Sequence, residues 1–150
     1  MSKSALALAA LLSSSLALAD VSVKDAWVRG TVTGQMATGA FMELKSSDTA
    51  ALLSVSSPVA ATVEVHEMSM DKGVMKMRAV PKLDLPAGKA VALKPGSYHI
   101  MLMDLKQPLK KGDSVPLSFK IEGKDKKLST LEIKAEVREP TASAPAEHKH

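Results

Sequence analysis

Apolar residues in this chain come in short runs that alternate with polar ones, and each run ends on a turn-forming residue. Nine such runs are legible: Val21–Val28, Gly39–Lys45, Ala51–Val55, Thr62–Met68, Val74–Val80, Ala90–Leu93, Tyr98–Leu105, Val115–Ile121 and Leu128–Val137. The breaks include Ser46-Ser47-Asp48, Asp71-Lys72-Gly73, Pro86-Ala87-Gly88, Lys94-Pro95-Gly96 and Glu122-Gly123-Lys124-Asp125. Side chains on a strand alternate between two faces, so such a pattern suits strands that bury one face. Many short strands at this spacing predict an all-β sandwich or barrel. No helical periodicity, internal repeat or second domain is apparent beyond the first residues. Asp71-Lys72-Gly73 predicts a tight hairpin turn, with glycine supplying positive φ.

The two ends differ from this body. Lys3, the apolar stretch Ala5 to Leu12 and the Ala17-Leu18-Ala19 site read as a secretory signal over residues 1–19. The stretch is too short to span a bilayer, so no stable membrane insertion is expected after cleavage. No lipobox cysteine is present, which argues against a lipid anchor. Residues 20–138 would form the single folded domain, of roughly 120 residues, enough for a real core. Residues 139–150 are rich in Pro, Ala and Ser and read as a flexible tail. That tail ends Glu147-His148-Lys149-His150, either a solvated end or an auxiliary Cu(II) site using His148 and His150.

Composition removes several functions. Aromatic residues make up only 3% of the chain, which disfavours nucleic-acid binding by base stacking. The net charge of +4 comes from lysines interleaved with acids, a solvated surface rather than a binding stripe. The chain has no cysteine, so disulfide staples, thiol redox chemistry and a blue-copper thiolate site are all excluded.

Against that background, His66, Met77, His99 and Met101 stand out. They are spaced H-x10-M-x21-H-x-M and include two of the four histidines. On the run Tyr98–Leu105, His99, Met101 and Met103 fall on one face, and Tyr98, Ile100 and Leu102 on the other. Met75 and Met77 share a face, as do Glu64, His66 and Met68. A hairpin about Lys72 would bring Met77 near His66. Two imidazoles and two thioethers form a soft, neutral donor set that suits Cu(I) better than Zn²⁺ or Mg²⁺. Met68, Met70, Met75 and Met103 are alternate ligands, a water-shedding shell or plain core, with shell and core the expectation. No nucleophile–base pair or zinc-type motif is present, so the expected role is binding rather than catalysis.

With these residues in view, the chain resembles the periplasmic PCuAC-type copper chaperones. The likeness lies in the four-residue spacing, in Ser57-Pro58-Val59-Ala60 and Val65-His66-Glu67-Met68, and in Gly73-Val74-Met75-Lys76-Met77-Arg78. It continues through Leu85-Pro86-Ala87-Gly88 and the block from Leu93 to Met103, and runs from about Val21 to about Ile133. The resemblance implies a cupredoxin-like Greek-key β-sandwich and one Cu(I) held by His66, Met77, His99 and Met101. It implies a periplasmic location and delivery of copper for assembly of the copper site in cytochrome c oxidase subunit 2, often beside a Sco-type protein. Sequestration of copper without delivery, and a metal-free structural sandwich, are the alternatives.

Overall fold

The computed structural model describes residues 20–141. The runs form ten strands: β1 (Val21–Arg29), β2 (Ala37–Ser46), β3 (Ala50–Ser56), β4 (Ala60–Asp71), β5 (Val74–Ala79), β6 (Leu83–Leu85), β7 (Ala90–Leu93), β8 (Tyr98–Leu105), β9 (Ser114–Glu122) and β10 (Leu128–Arg138). A single 3-10 turn, Lys124–Lys126, joins β9 to β10. The all-β expectation holds, and nine of the strands were legible as alternating runs. β6 was not. With only Leu83, Asp84 and Leu85 it is too short to show a period, yet it alternates buried, exposed, buried and pairs with β3.

Hydrogen bonding links the strands in the order β5-β4-β8-β2-β1-β10-β9-β3-β6, with β7 beside β2. Two halves face one another as the layers of the sandwich, and the parallel pairing of β1 with β10 stitches them together. Val28, Ala40, Leu44, Val65, Ile100 and Leu102 come from one half. Leu52, Val55, Leu117, Phe119, Ile121 and Val137 come from the other, and all belong to one buried cluster. Aliphatic side chains supply nearly all of this core; Phe119 is its fully buried aromatic.

β4 and β5 form a hairpin at one edge of the order. Its register pairs Asp71 with Val74, Met70 with Met75, Met68 with Met77 and His66 with Ala79. The two-residue loop therefore consists of Lys72 and Gly73, at φ 49° and 78°. Positive φ at both central residues defines a type I′ turn, whose twist matches that of the strands. Every residue of β5 is exposed, because β4 is its one neighbour in the sheet.

Candidate metal centre

β4 and β8 are antiparallel neighbours, and their register sets His66 opposite His99 and Glu64 opposite Met101. The two imidazole centroids lie 5.9 Å apart with the rings at 62°. On the far side of β4, Met77 stands opposite Met68, one rung beyond His66 toward the hairpin tip. On the far side of β8, Gly39 of β2 stands opposite Met101. All these positions share one face of the sheet.

A cleft of about 280 Å³ opens on this face, and Met77, His99 and Met101 all line it, with Met68 beside them. The fourth predicted residue, His66, meets the His99 ring edge-on rather than lining the cleft wall. The structure thus gathers His66, Met77, His99 and Met101 at one place. His148 and His150 lie outside the described residues, as does the expected signal at residues 1–19.

Hydrogen bonding fixes what each ring offers. His66 Nε2 is 2.8 Å from Glu64 Oε2. With that N–H donated to the carboxylate, the lone pair is on Nδ1, which is buried and has no partner among the described residues. His99 Nδ1 is 3.2 Å from the Ser97 carbonyl, so its N–H donates there and the lone pair is on Nε2. Metal-binding histidines usually have this arrangement, one nitrogen tied to a carboxylate or carbonyl and the other left as donor. An unpaired buried polar atom costs about 1–3 kcal/mol, which a bound cation at Nδ1 would offset.

His99 is only 5% exposed. Burial pushes its pKa below the ordinary value; His66 and Arg29 add to the lowering, against the Ser97 hydrogen bond. Burial therefore favours the neutral form of His99, the form in which an imidazole can ligate a metal. Met77 by contrast is 49% exposed. No group of three His, Cys, Asp or Glu side chains is placed to hold a metal among the described residues. A cation in this cleft would rest on the thioethers as well as the imidazoles, a set matched to soft ions.

The neighbours of the site were less visible in sequence. Trp27 and Phe41 pair across β1 and β2 with ring centroids 4.7 Å apart. Phe41 in turn lies 6.3 Å from His99, so four rings run in a row across four adjacent strands. The Arg29 guanidinium sits 5.2 Å from the Phe41 centroid and lines the cleft. Gly39 makes room for this row, since a Cβ there would meet the Phe41 ring at 2.8 Å. Glu64 could have been found from its position two residues before His66 on the same strand face. Arg29 carries no comparable signal. The shell expected of Met68, Met70, Met75 and Met103 divides: Met68 lines the cleft and Met103 is half-buried, while Met70 and Met75 are exposed at the hairpin tip, neither core nor shell.

Residues 21–137 match the LpqE-like family, described as "Putative lipoprotein LpqE-like". The chain belongs to the LpqE-like family. This LpqE-like chain is 35% identical over 103 residues to "Putative lipoprotein Lxx21020" of Leifsonia xyli subsp. xyli, covering 67% of the chain and 61% of that relative. It therefore spans about three fifths of the length of that curated relative. Among solved structures it resembles Cu(I)-bound DR1885 of Deinococcus radiodurans, at 31% identity and a TM-score of 0.62, covering 87% of this chain and 85% of that one. It also resembles the copper-bound PCuAC domain of PmoF2, at 20% identity and a TM-score of 0.65, covering 80% and 93%. The PCuAC-type resemblance and the cupredoxin-like fold read from the sequence are both borne out.

Proposed function

We propose that this LpqE-like chain carries Cu(I) and passes it on. His66 Nδ1, His99 Nε2 and the Met77 and Met101 sulfurs would hold the ion. The observation that carries this reading is the opposed histidine pair, each ring with one nitrogen already engaged and the other left as a donor. Two thioethers on the same face complete a set with no anionic ligand, so affinity rests on soft-donor match rather than charge. The likeness to Cu(I)-bound DR1885, at 31% identity, supports the choice of metal.

Half-exposure of Met77 favours transfer over storage, because an acceptor's ligand could displace this thioether while the histidines keep hold. The protein would be exported to the periplasm, with copper supplied for cytochrome c oxidase subunit 2, alone or through a Sco-type partner. The family's lipoprotein description agrees with export. Among the described residues no helix is long and apolar enough to cross a membrane.

Anaerobic titration of residues 20–150 with Cu(I) against a competing chelator tests the reading. One equivalent bound tightly, with Zn²⁺ a poor competitor, is the expected result; equal competition by Zn²⁺ overturns it. Transfer to an apo copper domain of oxidase subunit 2, measured by loss of copper from this chain, separates delivery from sequestration.

A further inference from the structure

Met70 and Met75 occupy opposite positions on the β4–β5 hairpin, next to its turn, and are 66% and 48% exposed. Exposed methionines at such a place call for a reason. Methionine fills irregular gaps in cores, and here there is no core to fill. Strand surfaces favour β-branched and aromatic side chains instead.

The hairpin's hydrogen bonds place these residues more closely. The Val80 N–H donates to the Val65 carbonyl at 2.8 Å, and the Met68 N–H donates away from β5, to the Ser97 carbonyl at 3.3 Å. Odd-numbered residues of β4 therefore make the ladder bonds to β5. Even-numbered ones sit in the non-hydrogen-bonded pairs, where side chains approach most closely, with Cα atoms about 4.5 Å apart. Met70–Met75 and Met68–Met77 are two successive pairs of this kind on one face. A step of two residues, about 6.5–7 Å, separates them. The next position inward is His66.

The opposite face of the hairpin holds the charges. Lys76 is paired with Asp71 at 2.9 Å, and Arg78 with Glu67 at 3.1 Å. The charges of Lys76, Asp71, Arg78 and Glu67 are thereby kept off the two methionine rungs, and Arg29 lines the cleft beside the inner one. Four methionines and no other residue type make up the two outer rungs of the thioether face.

We propose that Met70 and Met75 form an outer Cu(I) site, from which the ion steps along the hairpin through Met68 and Met77 to the histidine pair, and back again on transfer. The outer site has two thioethers and no imidazole, so it binds more weakly and exchanges faster than the inner one. That ordering is what a loading point needs. The proposal rests on the Cu(I) reading of the inner site.

The experiment follows methionine methyl resonances by NMR during anaerobic Cu(I) addition to residues 20–150, in the wild type and in Met70→Leu/Met75→Leu. The substitutions are exposed and conserve volume, so folding should be unaffected. The first equivalent should move the Met77 and Met101 methyls, and the second those of Met70 and Met75. The double variant should keep the first phase, lose the second, and exchange copper with a chelator more slowly. A second equivalent that leaves Met70 and Met75 unmoved, or an unaltered exchange rate in the variant, overturns the outer site. Failure of the first equivalent to move Met77 and Met101 would instead sink the inner-site reading, whatever the tip does.

Discussion

Glu64 lies two residues before His66 on β4, and its Oε2 is 2.8 Å from His66 Nε2. The same glutamate stands opposite Met101 across the strand pair. One carboxylate thus orients an imidazole while neighbouring a thioether. Glu64→Ala should leave the fold intact and lower Cu(I) affinity by about 10- to 100-fold, the usual effect of removing a partner behind a metal-bound histidine. Glu64→Gln, which keeps an acceptor oxygen, should recover part of the loss. Competition titration of both variants checks this, and equal affinities for wild type and Glu64→Ala would exclude an orienting role.

Two neighbours on β8 separate donor from scaffold. Met101→Leu conserves volume and should cost less than about 1.5 kcal/mol in folding, yet weaken Cu(I) binding. Ile100 is fully buried on the other face. Ile100→Ala should destabilise by about 2–5 kcal/mol while the folded fraction still binds. Urea unfolding alongside Cu(I) titration measures both. If Met101→Leu binds as the wild type does, Met68, which lines the same cleft, is the sulfur donor.

Acid should weaken the apo fold through His99. Burial first, with smaller contributions from His66 and Arg29, lowers its pKa below the ordinary 6.5. The unfolded chain then binds the proton more readily than the folded one. The contribution to stability is full above pH 6.5 and is lost as pH falls through the lowered folded value. Denaturant midpoints should drop over that window, and His99→Gln should flatten the dependence. Arg29→Gln, which removes one of the lowering charges, should move the His99 ring titration upward by NMR.

Gly39→Ala would drive a methyl into the Phe41 ring, 2.8 Å from the position of the new Cβ. Phe41 is buried against Trp27, so it has little room to yield. The expected cost is about 1–3 kcal/mol, together with displaced His99 resonances, because Phe41 is the ring beside His99. Unchanged His99 shifts would mean that the aromatic row does not position the histidine.

Truncation after Glu139 tests the tail. His148 and His150, with the terminal carboxylate, suit Cu(II) rather than Cu(I). Loss of weak Cu(II) uptake with Cu(I) binding intact is the expected outcome. A sharp fall in Cu(I) binding would mean that the four-residue site is incomplete.

Period-two alternation made nine strands legible because each buries one face and exposes the other. β6 escaped because three residues carry no period, and its place depends on a partner strand more than thirty residues earlier. The parallel seam between β1 and β10 was equally invisible, since it joins residues from opposite ends of the fold. Alternation put His99 and Met101 on one face and the expected hairpin brought Met77 near His66, but neither revealed the tautomers, which depend on Glu64 and the Ser97 carbonyl. Methionine itself was the ambiguous letter. The same side chain serves at Met42 in the core, at Met68 in the cleft and at Met75 in solvent.

The exposure of Met77 has a chemical price beyond ease of handover. A thioether in contact with water is open to peroxide, and oxidation to the sulfoxide turns a soft apolar donor into a polar, chiral one. Buried His99 has no such weakness. An oxidative burst would therefore blunt the grip on Cu(I) from the hairpin side first, leaving the fold standing. Methionine sulfoxide reductases, one for each sulfoxide epimer, would be what restores it.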